Sequence, residues 1–250
     1  MQQITRENRI LGALYGQMLG DALGMPSELW PRERVKKHFG WIDRFLDGPA
    51  ENNAACYFTA AQFTDDTSMA LALADALIEA DGDVVPELIA RNVIRWVDGF
   101  DAFNKNILGP SSKLALAEQK KGVAISELEN NGVTNGAAMR VSPLGCVLPS
   151  APLEHFCQQV WLASSPTHKS DIAVAGAVVI AWAVSKAIEG ASWRRLNWRC
   201  RTLPNTPRPA RAPPSAPLWP RALSWHSTWW RNPPAASRLP SRFTNWWVRE

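Results

Sequence analysis

Thr64, Asp65 and Asp66 stand together in the run Phe63-Thr64-Asp65-Asp66-Thr67-Ser68-Met69-Ala70, a hydroxyl and two carboxylates opening an apolar segment. All three offer oxygen ligands, the donor set that Mg²⁺, Mn²⁺ or Ca²⁺ prefers over the sulfur and imidazole sets that suit zinc. The same residues suit a helix start, where Ser, Thr, Asp and Asn cap the first amides and acidic side chains meet the positive end of the macrodipole. Capping and ligation are compatible, because a helix start is a rigid place for ligands. This is half of a hard-metal site, and after Asp171 the chain contains no further Asp to supply the other half.

Three more groups carry possible chemistry. Glu28 follows Met25-Pro26-Ser27 in a loop that a preceding helix delivers; read alone, it is a solvated carboxylate. Asn135-Gly136-Ala137-Ala138-Met139-Arg140 joins a flexible Asn-Gly to small side chains ahead of an apolar stretch, and exposed amides near a helix start suit a pyrophosphate. Arg140 would add charge there or clamp a buried carboxylate. His168, alone after Thr167, is either a satisfied core histidine or a cleft residue. Asp21 reads as structural, tied to neighbouring backbone amides.

The elements that must position these groups are helical. From Ile10 to Leu23, Leu11, Leu14, Tyr15, Met18, Leu19 and Ala22 recur at helical spacing, and Gly12, Gly16, Gly20 and Gly24 line one stripe. Each interior Gly costs roughly 0.5–1 kcal/mol against Ala, so the stripe predicts another backbone packed very close. Asp66 to Ala80 places Met69, Leu73, Ala76, Leu77 and Ala80 on one face. Pro86 suits a first helical position and Gly99 a stop, and Pro110 to Lys121 closes at Gly122 in the same way. His168 to Glu189 reads as a buried helix whose apolar run, Ile172 to Val184, falls short of the roughly 20 residues a bilayer demands. No strand-like alternation longer than four residues survives, so the class is all-α.

Charge divides the chain at Gly190. Residues 1–190 hold 16 Lys and Arg against 22 Asp and Glu, a net −6, whereas residues 191–250 hold 11 Arg and one Glu, a net +10. The overall +4 therefore describes no single domain. Residues 1–190 read as one helical domain long enough for a real core. The rest holds 8 of the 13 Trp and 10 of the 19 Pro, a spacing that forbids long helices. An Arg and Trp mixture could stack on single-stranded nucleic acid, and a membrane-surface segment would need an amphipathic stripe that the prolines interrupt. The expectation adopted is that codons after about Gly190 are read out of frame, leaving a C-terminally truncated product and a segment 191–250 that is not natively folded.

The N-terminus lacks an apolar export segment and carries Arg6, Glu7 and Arg9. Cys56, Cys146, Cys157 and Cys200 form no CxxC pair. Both features point to reduced thiols in the cytoplasm.

Taken together, Gly16-Gln17-Met18-Leu19-Gly20-Asp21-Ala22-Leu23-Gly24-Met25-Pro26-Ser27-Glu28, the Phe63 to Ala70 run, Thr134-Asn135-Gly136-Ala137-Ala138-Met139-Arg140-Val141-Ser142-Pro143-Leu144-Gly145 and Thr167-His168 resemble the ADP-ribosylglycohydrolase family in order and spacing. The dinitrogenase reductase-activating glycohydrolases are members of that family. The resemblance implies an all-α orthogonal helical bundle, incomplete here at its C-terminus, and a two-metal centre, usually Mg²⁺ or Mn²⁺. It implies a hydrolase that removes ADP-ribose from protein side chains or small ADP-ribosides, with neither a membrane nor nucleic acid as partner. By that resemblance Thr64, Asp65 and Asp66 are the first ligand cluster, Glu28 lies beside the metals, and Asn135 to Arg140 with His168 contact substrate. Glu28, Asp65 and Asp66 are the expected catalytic residues.

Two departures from the family's pattern matter. Where members often carry Asp-Ile-Gly followed by Thr, this chain has Asn104 to Ser112, and an Asn cannot act as a base at neutral pH. The second ligand string, Asp-x-Asp-Thr, is missing, which predicts weak metal binding and impaired turnover. A non-catalytic ADP-ribose-binding protein is the alternative.

Overall fold

The computed structural model describes residues 4–192 and Leu196. Among them, eight α-helices follow one another: α1 (Arg6–Gly24), α2 (Arg32–Phe39), α3 (Asp65–Glu79), α4 (Pro86–Gly99), α5 (Pro110–Lys120), α6 (Ser142–Val147), α7 (Leu153–Ser164) and α8 (Asp171–Ile188). Among the described residues there is no strand. The all-α expectation holds.

Local chemistry explains most boundaries. Thr5 caps α1 by accepting the Asn8 N–H at 3.2 Å, and Ser170 caps α8 by accepting the Ala173 N–H at 3.3 Å. Pro86 and Pro110 open α4 and α5, where their missing donors cost nothing. Helices α3 and α4 pair through Leu73 and Leu77 on one side and Ile89, Val93 and Val97 on the other, all buried. Helix α8 packs on α6 and α7, and α6 links it to α3. Met69, Leu116, Leu144, Phe156, Val160 and Val178 join these layers in one core.

Helices α2, α6 and α7 carry no clear signal in the sequence. Helix α2 is Arg-Glu-Arg-Val-Lys-Lys-His-Phe with no buried residue, and α6 has only six residues, so neither shows a readable apolar period. Helix α8 extends over 18 residues, longer than its apolar run, and is long and apolar enough to cross a membrane by length and composition alone; half of it is buried against the rest of the fold.

The glycine stripe of α1 overturns one expectation. A Cβ on Gly12, Gly16, Gly20 or Gly24 would meet nothing within 4 Å. Leu11, Tyr15 and Leu19 are exposed, and Ala22 alone in α1 is buried. The close approach lies elsewhere: a Cβ on Gly145 of α6 would stand 2.5 Å from the Ala181 carbonyl of α8. Cys56, Cys146 and Cys157 are thiols. The reading of segment 191–250, with Cys200, falls almost entirely outside the described residues.

Candidate active site

Asp21, in the last turn of α1, organises the start of α3. Its Oδ2 accepts the Thr64 N–H at 3.0 Å, the Thr67 N–H at 3.0 Å and the Thr67 hydroxyl at 2.7 Å, while Oδ1 accepts the Thr64 hydroxyl at 2.8 Å. Thr64 occupies the N-cap position with extended backbone, yet its side chain caps nothing. The capping bond comes instead from Asp21, a partner 46 residues away from Thr67. Asp65 and Asp66 are thereby left in the first turn of α3 with carboxylates that the capping of this helix does not require.

Glu28 reaches the same place by a different route. The 3-10 turn Met25–Ser27 ends α1, and the buried Asn52 holds the loop by donating from Nδ2 to the Pro26 and Glu28 carbonyls at 3.3 and 3.0 Å. Immediately afterwards Leu29 adopts φ 56°, a left-handed conformation uncommon for a residue other than glycine.

Electrostatically the three carboxylates oppose one another. Burial, then Asp66 and Asp21, push Glu28 up to about 7. Burial and then Asp21 raise Asp66 to about 6, against the Thr64 hydroxyl and its own amide, which pull it down. Asp65 is held well above the usual carboxylate range by burial, Asp66 and Glu28. Uncompensated carboxylates that share one neighbourhood suit a cation or a developing positive charge. Among the described residues, however, no three His, Cys, Asp or Glu side chains group as a metal-binding set. Thr64, Asp65 and Asp66 thus fit one flank of a hard-metal centre by donor chemistry and not a complete one.

A second cluster adjoins the first. Gln17 Nε2 donates to the Asp66 carbonyl at 3.1 Å and to the Met139 carbonyl at 2.8 Å, strapping the start of α3 to the Asn135 to Arg140 segment. That segment is a turn preceding α6 and not a helix start. Asn135 is exposed, Gly136 and Ala137 are buried, and Ala138 and Met139 are half-buried. Arg140 is 1% exposed and points inward: Nη1 donates to the Gly136 carbonyl at 3.0 Å and the Thr167 hydroxyl at 2.6 Å, and Nη2 to the Ala163 and Ser164 carbonyls at 3.2 and 3.3 Å. No carboxylate is among these partners, so the expected carboxylate clamp is a carbonyl clamp.

His168 is fully buried between Thr134 Oγ1, 2.8 Å from Nε2, and Thr167 Oγ1, 2.9 Å from Nδ1. Thr167 Oγ1 also accepts from Arg140, so both ring nitrogens have hydroxyl partners and one hydroxyl is shared with the guanidinium. Burial, reinforced by the Arg140 charge, lowers the His168 pKa to about 3, so the ring is neutral. A Cβ on Gly136 would lie 2.5 Å from His168 Cε1, so the glycine at this position makes room for the imidazole. Residue type and spacing do not single out Gln17, Asn52 or Asn130 for a role. Asn130 accepts the Gly132 N–H at 2.9 Å and donates to the Ser111 and Thr167 carbonyls. Its Asn-x-Gly spacing is the one local signal of that role. A separate cleft of about 440 Å³, lined by His38, Trp41, Arg44 and Glu51 among others, includes none of these groups.

The sequence model of the ADP-ribosylglycohydrolase family matches residues 2–250. The chain belongs to the ADP-ribosylglycohydrolase family. It is 71% identical over 188 residues to the uncharacterized protein YegU of Escherichia coli (strain K12), covering 75% of this chain and 56% of YegU. It is also 29% identical over 189 residues to the ADP-ribosylarginine hydrolase Tri1 of Pseudomonas putida (strain GB-1), covering 74% of this chain and 48% of Tri1. A solved structure titled ADP-ribosylglycohydrolase-related protein complex superposes with a TM-score of 0.60 at 26% identity, over 76% of this chain and 60% of that one. The chain spans about half the length of the curated relatives it matches. The ADP-ribosylglycohydrolase fold is all-α, as the eight described helices are, and the family is one of hydrolases.

Proposed function

We propose that residues 1–190 form the N-terminal part of a metal-dependent hydrolytic site that cleaves the glycosidic bond of ADP-ribosylated protein side chains or small ADP-ribosides in the cytoplasm. The supporting observation is the gathering of Glu28, Asp65 and Asp66, from two chain segments, into one neighbourhood where burial and mutual repulsion raise the pKa of each.

Glu28, with its pKa near 7, is poised to accept a proton from an attacking water at neutral pH. The negative charge of Asp65 and Asp66 favours the oxocarbenium-like state through which an anomeric bond breaks. Thr64, whose hydrogen is committed to Asp21, keeps oxygen lone pairs for ligation alongside the two aspartates. A Mg²⁺ or Mn²⁺ ion held there would supply Lewis-acid polarisation and activation of water. The turn from Asn135 to Met139, shaped around His168 and Arg140, is the surface offered to the ADP-ribose moiety, with Asn135 the exposed side chain.

The second ligand set that the family resemblance implies is not among the described residues. On this reading the chain binds substrate better than it turns it over. That reading is tested by assaying the full chain on ADP-ribosyl-arginine and ADP-ribosyl-serine with Mg²⁺ or Mn²⁺ beside the Pseudomonas putida Tri1. Expected are calorimetric binding of ADP-ribose and release at least ~100-fold slower than by Tri1, abolished by Glu28→Gln. Robust release that Glu28→Gln leaves untouched would refute the assignment. A binding-only function is favoured to the extent that the His168 cluster is already satisfied within this chain, and ADP-ribose binding without metal and without product is its signature.

A further inference from the structure

Unpaired positive charge is concentrated in one helix. The described residues contain 16 Lys and Arg, and all but five place a side-chain nitrogen against a carboxylate or a backbone carbonyl. Lys113 is one of the five. The other four are Arg32, Arg34, Lys36 and Lys37, all in α2 and all exposed. Among the described residues these four have no acidic partner, although residues 1–190 carry a net −6.

Nothing local favours that arrangement. Helix α2 has eight residues, no buried side chain and no side-chain cap, so its own stability is marginal. Lys36 and Lys37 suit the last turn, whereas Arg32 and Arg34 stand in the first, where the macrodipole disfavours cations, and Arg32 repels Lys36 one turn on.

The cleft of about 440 Å³ lies beside this helix. His38 and Phe39 of α2 form one wall, Trp41, Leu46 and Pro49 add apolar surface, and Arg44 adds a further cation. Trp41 is 52% exposed. The carboxylates of the cleft already have partners: Asp47 Oδ1 accepts the Ala60 N–H at 2.8 Å, and Glu51 lies 3.6 Å from His38 Nδ1. Helix and cleft both adjoin the candidate site. Arg32 follows Glu28 by four residues, at most about 14 Å of chain. Glu51 directly precedes Asn52, which donates to the Glu28 carbonyl at 3.0 Å.

We propose that α2 and this cleft dock an acidic segment of the protein that carries the ADP-ribose, with carboxylates on Arg34, Lys37 and Arg44 and one large apolar side chain in the cleft. A protein segment fits this surface better than a nucleic acid does. Arg34 covers the Trp30 ring at 3.8 Å, which leaves no run of open rings for stacking bases, and Asp47 and Glu51 would repel a continuous phosphate chain. That the docked protein is the substrate rests on the hydrolytic reading; the docking itself does not.

The test uses the full 250-residue chain and the fluorescence anisotropy of a labelled peptide of Glu and Gly with one central Phe. Expected is binding that Arg34→Glu with Lys37→Glu weakens at least about tenfold while helical circular dichroism is unchanged. The same change of net charge made in the basic 191–250 segment, by Arg208→Glu with Arg211→Glu, should leave the affinity nearly as it was, which separates docking on α2 from attraction by net charge. Trp41→Ala should weaken binding of the Phe peptide and spare a peptide with Gly in place of the Phe. Binding indifferent to the α2 reversal, or weakened as much by the reversal at 208 and 211, would overturn the proposal, as would a Phe peptide indifferent to Trp41→Ala. Oligothymidylate that binds more tightly than the peptide and is lost on the α2 reversal would assign the face to nucleic acid. Self-association of the chain that the reversal abolishes would assign it to a second copy, and either result overturns the proposal. Because no turnover is read, failure here leaves the hydrolytic reading standing, and failure of the Glu28 assay leaves the docking standing without its substrate.

Discussion

Asp21 holds Thr64 twice, by the main-chain N–H at 3.0 Å and by the side-chain hydroxyl at 2.8 Å. The last turn of α1 thus does for α3 what an N-cap side chain does for its own helix, and the proposed ligands are positioned by a residue that is not one of them.

Removing that residue tests the arrangement. Asp21→Ala leaves two amides and two hydroxyls without their acceptor and should destabilise the fold by about 2–4 kcal/mol. Asp21→Asn, which keeps one acceptor oxygen, should cost less. Urea unfolding followed by circular dichroism distinguishes them, and equal stability of Asp21→Ala and wild type would contradict the role.

Two glycines should respond with opposite signs. At Gly136 the added methyl meets His168 Cε1 at 2.5 Å, so Gly136→Ala is expected to lose about 1–3 kcal/mol through overpacking. At Gly16 it meets nothing within 4 Å, and Gly16→Ala should gain about 0.5–1 kcal/mol of helix stability. Thermal melts of the two variants decide this.

The carboxylate cluster sets a pH slope. Glu28 titrates near 7 in the fold against 4.5 when unfolded, so between those values the native state holds more protons than the unfolded state. Stability from this group is full below about 4.5, falls as pH rises towards 7 and is flat above. Asp66, raised to about 6, adds a slope of the same sign. His168 acts oppositely: its folded pKa of about 3 lies below the ordinary 6.5, so its contribution grows as pH rises from 3 to 6.5. Melting temperatures across pH 3–8 should therefore fall less steeply between 4.5 and 7 in Glu28→Gln, where Asp65 and Asp66 still titrate, and lose the acid-side rise in His168→Gln. Saturating Mg²⁺ should remove the fall between 4.5 and 7 in the wild type.

Arg140 is buried with four bonds to three carbonyls and a hydroxyl, and burial lowers its pKa only to about 10, so it is a cation throughout the physiological range. Arg140→Met should destabilise by about 2–4 kcal/mol, and Arg140→Lys by a similar amount because an ammonium lacks the planar fork these acceptors require. The informative readout is the imidazole. Loss of the positive charge should move His168 upward from about 3 while burial keeps it below 6.5, which a nuclear magnetic resonance titration measures.

Helices with strong local signals are legible in the sequence. Pro86 and Gly99 bracket α4 at its observed ends, and α3 starts at Asp65, one residue ahead of the Asp66 that its apolar spacing predicts. Helix α7 begins after Pro152, and its burial of Phe156, Cys157 and Val160 depends on α8. The charged α2 carries no apolar period at all. The glycine stripe of α1 reads as an invitation to close packing, but the described fold places its own close approach at Gly145, a lone glycine with no pattern around it.

For the site, the sequence by itself determined which residues have the chemistry: oxygen donors at Thr64, Asp65 and Asp66, a carboxylate at Glu28, small residues at Gly136 to Ala138, and a family order that joins them. Residue type and spacing along one chain segment carry that information. The tertiary structure alone decided that Asp21 frees Thr64 from capping, that Gln17 ties Asp66 to a Met139 lying 122 residues beyond Gln17 itself, and that Arg140 faces carbonyls instead of a carboxylate. Those facts depend on hydrogen bonds between segments far apart in sequence. Such pairings leave no period or motif, because each is fixed only when the packed helices bring donor and acceptor within about 3 Å of one another.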